Sequence, residues 1–420
     1  MTPKLWTTLQ TYDRHQFARD AIAGVTVAMV ALPLSIAIAV ASGAPPSTGL
    51  ITAIVGGFLI SLLGGSRVQI GGPTGAFIVV VFGVIAQHGY DGLVIATLMA
   101  GAIMVAAGLV RAGSLVAYVP EPVVNGFTIG IAIIIGTSQL KDLFGLTTGP
   151  VPAEFVGKLE ALWAARASFN AAALGIGLGT MVLIVGLRRM APRFPGLIVA
   201  VGLGSAVVAL GGLSVDTLFG RFGALPSTLP WPAIPDISYA RVVELLPSAL
   251  VIAFLASIES LLSAMVADRM MGGHHRPNAE ILAQGFANIG AALFGGLPAT
   301  GAIARTATNV NAGGRTPVAG LVHAVTIFGV MLLAAPVAGY LAMPALAALL
   351  LITAWNMSEP HKWRGYMGAR RSDRALLLLT VVLTVFADLT VAIGVGVALG
   401  LALRLQRRHA EPEAWETPER

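Results

Sequence analysis

About fourteen apolar runs follow one another along this chain, and they leave it few ways to fold. They lie near 21–41, 47–64, 68–87, 91–110, 116–140, 168–187, 195–211, 241–266, 278–295, 297–312, 318–334, 337–356, 374–387 and 389–405. In lipid every backbone N–H and C=O needs a partner inside the protein, so runs of this kind cross as helices. The charge content agrees: 11% of the 420 residues are Asp, Glu, Lys or Arg, against 56% hydrophobic. The reading is an all-α polytopic membrane protein with 14 transmembrane segments. There is no cysteine, which excludes a disulfide framework and thiol chemistry. The net charge of +6 reflects basic loops, because no stretch interleaves basic and aromatic residues as a nucleic-acid surface would. The first run, with Pro33 inside it, is too long for the core of a secretory signal.

Topology follows from the basic residues. With the N-terminus inside, the inner connections hold Arg67, Arg111, Arg188, Arg189, Arg193, Arg269, Arg276, Arg315, Lys362, Arg364, Arg370, Arg371, Arg374, Arg404, Arg407 and Arg408. The long outer connections 141–167 and 212–240 are mixed, with Lys141, Lys158, Arg166 and Arg221 against Asp142, Glu154, Glu160, Asp216 and Asp236. Both ends are therefore expected in the cytoplasm: 1–20 before the membrane region 21–405, and 406–420 after it. The halves start near residues 20 and 241 with seven spans each, and an odd number makes the second half an inverted copy of the first.

Two runs carry helix breakers where a span ought to be continuous. Residues 71–76 read Gly-Gly-Pro-Thr-Gly-Ala, and residues 296–302 read Gly-Leu-Pro-Ala-Thr-Gly-Ala. Spans 3 and 10 are thus expected to be broken at Pro73 and Pro298, with Val68 to Ile70 as a short extended stretch, and to face each other at mid-membrane. Paired breaks in two halves point to a central binding site. A half-helix N-terminus presents free N–H groups and a partial positive charge, so two of them suit an anion. Arg305 is expected about two turns into the second half-helix. It reads either as a structural partner of carbonyls in the broken third span or as an attractor of anions. Thr74 and Thr300 read equally as substrate contacts or as partners of backbone freed by the prolines.

Glu259 is the other deep charge. It reads as a helix–helix hydrogen bond or as a coupling group that carries a proton or helps bind a cation, with Ser260 and Ser263 adding polarity on the same turn. Glu121 and Asp388 lie at span ends and read as structural, and His323 as a core histidine. His274 and His275 are weak evidence for metal, so no metal site is assigned. No Gly-x-Ser-x-Gly, His-Glu-x-x-His or P-loop is present, which argues against an enzyme and leaves no catalytic residue and no cofactor.

The stretch His275-Arg-Pro-Asn-Ala-Glu280-Ile-Leu-Ala-Gln284-Gly-Phe-Ala-Asn288, continued by Gly295-Gly-Leu-Pro298-Ala-Thr-Gly-Ala-Ile-Ala-Arg305-Thr-Ala-Thr-Asn309, strongly resembles the SulP family, solute carrier family 26. Ala31-Leu-Pro33-Leu-Ser-Ile-Ala-Ile-Ala39, Pro45-Pro-Ser-Thr-Gly49, Gly65-Ser-Arg67 before Gly72-Pro73-Thr74, and Ser257-Ile-Glu259-Ser-Leu-Leu-Ser263 resemble it too, from about residue 13 to 405. The resemblance implies two intertwined inverted repeats: a core domain near 21–110 and 241–334, and a gate domain near 116–211 and 337–405. By motif position it places the substrate at Leu34, Ile38, Thr74, Gly75, Ala76, Phe77, Ala302, Ile303, Ala304 and Arg305, with Glu259 as the proton-coupling carboxylate. Leu34 and Ala304 stand where many relatives have Gln and Ser, which leaves more of the binding to backbone amides. The expected activity is proton-coupled symport of a dicarboxylate such as fumarate or succinate by an elevator motion. The alternatives are sodium- or proton-coupled bicarbonate or sulfate transport, or an anion channel. The resemblance also implies a homodimer, and a cytoplasmic STAS domain that this sequence does not include. A bacterial inner membrane fits the composition.

Overall fold

A computed structural model describes residues 2–111, 113, 120–149, 151–191, 195–387 and 389–406. Residues 116–119 of the fifth apolar run, Arg193, Asp388, Arg407, Arg408 and the rest of the tail 407–420 lie outside the described residues.

The order begins α1 Lys4–Leu9, α2 Arg14–Ala41, α3 Pro46–Ile51, α4 Gly57–Leu63, β1 Gly71–Gly72, α5 Phe77–Leu109 and α6 Glu121–Leu143. It continues α7 Phe155–Ala164, α8 Ala171–Met190, α9 Gly196–Gly211, α10 Leu218–Phe222, α11 Tyr239–Met271, α12 Pro277–Leu293, β2 Thr300–Gly301 and α13 Ile303–Asn311. The last helices are α14 Val318–Ala338, α15 Met343–Met357, α16 Trp363–Gly368, α17 Arg371–Phe386 and α18 Leu389–Gln406. Helix starts follow local chemistry: the Asp13 carboxylate caps α2 by accepting from the N–H of Gln16 at 2.7 Å, and Pro sits in the first turn of α3, α6, α12 and α15, where its missing N–H has no partner to lose. A five-residue π-turn, Thr52–Gly56, joins α3 to α4. Among the described residues, seven helices are long and apolar enough to cross a membrane, Pro46–Leu63 counted as one. Leu210, Leu333 and Val182 are 89%, 87% and 72% exposed, which suits a lipid-facing surface.

The runs 68–87 and 297–312 are broken, as expected: helix begins only at Phe77 and Ile303, because the Gly-Pro clusters leave backbone that a helix cannot use. One expectation changes. The extended pairing falls on Gly71–Gly72 rather than on 68–70, since the glycines alone admit the close approach described below. In addition, α5 joins two apolar runs and breaks at Gly89, whose φ of 72° is left-handed.

Packing forms two groups. In the first, α5 lies along α11 and α12, α2 along α14, and α4 against α12 and α14. Small residues permit this: a Cβ added at Gly101 of α5 or at Gly285 of α12 would stand 2.8 Å from the other's carbonyl oxygen. In the second group, α6 lies along α15 and α17, α8 along α9 and α15, and α17 along α18. The groups meet where α2 touches α9 and α15, α11 touches α18, and α5 touches α6.

Candidate functional site

The two breaks meet as a two-residue antiparallel ladder, Gly71 opposite Gly301 and Gly72 opposite Thr300, lengthened by the N–H of Ala302 donating to the carbonyl of Ile70 at 2.9 Å. Only glycine fits at the centre. A Cβ on Gly301 would lie 1.5 Å from Gln69 Nε2, and one on Gly72, at φ 151°, would lie 2.3 Å from Arg305 Nη1. Beyond the ladder each chain turns into a helix, α5 after Ala76 and α13 after Ala302. Neither cap residue supplies a side-chain acceptor. At the start of α5 the N–H groups of Phe77 and Ile78 turn back to the carbonyls of Thr74 and Gly75 at 3.2 and 3.1 Å, so the two positive helix ends beside the ladder carry no side-chain cap.

Polar side chains from neighbouring helices satisfy the rest of this irregular backbone. Asn288 of α12 donates to the carbonyl of Ala299 at 2.8 Å and accepts from its N–H at 2.9 Å. Thr52 accepts from the N–H of Leu297 at 2.6 Å and donates to its carbonyl at 3.1 Å. Asn309 donates to the carbonyl of Val68 at 2.8 Å, and Thr306 accepts from the N–H of Ile70 at 3.1 Å. Thr300, buried, donates to the carbonyl of Ala256 within α11 at 3.0 Å. With these groups paired, non-helical backbone is tolerated at membrane depth.

Arg305 lies in the first turn of α13, not two turns in. Residues 298–302 are extended or turning, and the helix starts five residues after Pro298. The guanidinium is 1% exposed. Its Nη2 donates to Ser35 Oγ and to the carbonyl of Pro73, both at 3.1 Å, so it reaches from one break to the other. Nε and Nη1 have no hydrogen-bond partner among the described residues. Glu259 accepts from Thr74 Oγ1 at 2.9 Å, which brings the other deep charge onto the first residue after Pro73.

Of the residues expected to contact substrate, Ala304 is exposed and Leu34, Thr74 and Ile303 are partly exposed, as is Glu259. Ile38, Gly75, Ala76, Phe77, Ala302 and Arg305 are buried. The open faces therefore lie at the helix ends and at Leu34, with the arginine behind them. Gly75 faces the second packing group: a Cβ there would lie 2.9 Å from Met357 Sδ and 3.8 Å from Ile135 Cδ1.

Sequence reasoning missed the polar lattice behind the ladder. Buried Glu280 accepts from the N–H groups of Gly65 and Ser66 at 2.8 and 3.1 Å, from Ser260 at 3.0 Å and from Gln284 at 2.9 Å. Gln69 donates to Ser260 Oγ at 2.9 Å. A signal existed: Glu280, Gln284 and Asn288 recur at i, i+4 and i+8, one polar stripe along an apolar span. Asp20 was missed as well. It accepts from Tyr12, from the N–H groups of Arg315 and Thr316 and from the Thr316 hydroxyl, tying the start of α2 to the turn before α14. Burial, and then the Asp20 charge, push the Tyr12 phenol above its ordinary value.

The sulfate permease family profile matches residues 17–380. The chain belongs to the sulfate permease family. YvdB of Bacillus subtilis (strain 168), named for sulfate transport, is 42% identical over 385 residues, which covers 91% of this chain and 72% of that protein. The bicarbonate transporter BicA of Picosynechococcus sp. is 31% identical over 389 residues, 89% of this chain and 68% of its own. The solved transmembrane domain of a cyanobacterial BicA superposes with a TM-score of 0.81 at 29% identity, covering 93% of this chain and 98% of that one. As a sulfate permease family member the chain is a multi-pass membrane anion transporter. The paired breaks, Arg305 and Glu259 all lie within the matched residues.

Proposed function

We propose that this sulfate permease family member accumulates a small inorganic oxyanion, bicarbonate or sulfate, by alternating access. The anion sits at the N-terminal ends of α5 and α13. One observation carries the reading: two helix ends without side-chain caps share a ladder beside a buried arginine whose Nε and Nη1 have no hydrogen-bond partner among the described residues. A buried cation of that kind is costly alone and favourable once an anion faces it. Exposed Ala304 and partly exposed Ile303 and Thr74 leave those ends open to a ligand. The dicarboxylate reading yields to the inorganic one, because the relatives compared are named for sulfate and bicarbonate.

Glu259, bonded to Thr74, is the coupling group, taking a proton or a sodium ion as the anion binds. The group of α2 to α5 with α11 to α14 carries the anion as an elevator against the group of α6, α8, α9, α15, α17 and α18. Counting α5 as two segments at Gly89 supports fourteen spans in two inverted halves, with both termini in the cytoplasm of a bacterial cell. Reconstituted vesicles test this: anion should accumulate uphill under an imposed proton or sodium gradient. Purely dissipative flux would make the protein a channel and sink the proposal.

A further inference from the structure

The outer connection between α6 and α8 holds a cation without a counter-charge. Lys158, on α7, turns its side chain inward and is only 5% exposed. The ammonium donates to Ser138 Oγ at 2.8 Å and stands 5.2 Å from the centroid of the Phe82 ring. No acidic side chain among the described residues balances it. Buried lysines ordinarily pair with carboxylates.

The two contacts belong to different packing groups. Ser138 lies on α6, in the second. Phe82 lies on α5, in the first, about 8 Å along the helix axis beyond Phe77. Its ring also packs at the far end of α2, where a Cβ on Gly43 would be 3.3 Å away. Lys158 thus bridges the seam between the groups, on the side away from the ladder. The ligands it has there are weak ones. A hydroxyl and a ring face occupy part of an ammonium that has three donors, and a charge-assisted bond to an anion is about twice as strong as a neutral one.

We propose that Lys158 is an anion-responsive latch: it ties α5 to α6 when the seam is empty, and releases Ser138 and Phe82 to a small inorganic anion arriving from the outer side. This rests on the anion-transport reading and adds to it a second anion station, separate from the ends of α5 and α13. Opening of the seam and capture of the anion become one event, because the same ammonium serves both.

The chain has no cysteine, so a single introduced thiol reports on the seam. Ile135, 1% exposed on α6, lies between the latch and Gly75. An Ile135→Cys reporter in right-side-out vesicles is labelled with a membrane-impermeant maleimide. Lys158→Met should speed labelling about fivefold or more without anion, and Lys158→Arg should restore the slow rate. Sulfate or bicarbonate should speed labelling of the lysine protein and add nothing to the methionine variant. Ser138→Ala should open the seam while keeping the outer KM. In uptake assays Lys158→Met should raise the outer KM about tenfold and leave the inner KM within about twofold. Labelling indifferent to both Lys158 and anion, or KM rising equally on both faces, would overturn the latch. Lysine protein that takes up neither anion defeats the transport reading instead, and faster labelling of the methionine variant then still supports the seam contact.

Discussion

Replacing Arg305 with methionine should move stability and affinity in different ways. In the anion-free protein the substitution removes two hydrogen bonds, to Ser35 and Pro73. Bonds to a charged group contribute about 1.5–3 kcal/mol each. Against that, it removes a guanidinium that is 1% exposed with two partnerless donors, and burying such an ion costs several kcal/mol. The terms nearly cancel, so the anion-free protein should change by less than about 1.5 kcal/mol. The bound anion loses a full charge. At an effective dielectric of about 20 and a separation of about 6–8 Å, that charge contributes roughly 2–3 kcal/mol. The Kd should therefore rise about 30- to 100-fold. Thermal unfolding of purified protein, with and without sulfate and bicarbonate, reads both quantities together, because a ligand that binds only the folded state raises the melting point. Loss of stability above about 3 kcal/mol with an unchanged anion shift would make Arg305 a structural peg and refute the reasoning.

Glu259→Gln should abolish uphill accumulation while anion exchange persists, since the amide still accepts from Thr74 but binds no coupling ion; full gradient-driven accumulation would remove Glu259 from coupling. Gly301→Ala should destabilise by about 2–4 kcal/mol, because its Cβ displaces the Gln69 amide from Ser260, and Gln69→Ala in the same chain should recover part of the loss in a melting assay. Asn288→Leu should cost about 2–4 kcal/mol by orphaning both backbone groups of Ala299, a loss that denaturant unfolding would measure. Burial holds the Lys158 amine below its ordinary value. The folded state therefore disfavours the charged form, and wild-type stability should rise as pH climbs from that lowered value toward the usual lysine range. The Lys158→Met protein should lack the rise, which melting curves across alkaline pH would show.

The doubled Gly-Pro clusters were legible as paired breaks because breakers inside apolar runs have few other uses. Their partner contacts were not. Gly71 and Gly301 are remote in sequence, and nothing local says which residues of each cluster pair. Arg305 came out a turn too deep for the same reason: a proline marks where a helix stops, while the restart depends on the extended residues the ladder holds. Thr74 and Glu259 were each singled out, but their contact spans 185 positions, and only packing of α11 against the first break creates it. Glu280 and Asn288 were visible as letters in a family motif, yet their role is to satisfy backbone elsewhere, and backbone need is invisible until the fold exists. Lys158 looked like one charge in a mixed outer loop. Its burial depends on α7 folding back over the seam.

The central claim is that two helix ends and a buried arginine hold a small inorganic anion for uphill transport. Its most direct test is radiolabelled sulfate and bicarbonate accumulation in vesicles under proton or sodium gradients, competed by each anion and by fumarate and succinate. Gradient-driven accumulation above the outside concentration is expected, blocked by an inorganic oxyanion and little affected by the dicarboxylates. Equilibration without accumulation, or strongest competition by fumarate or succinate, would contradict it.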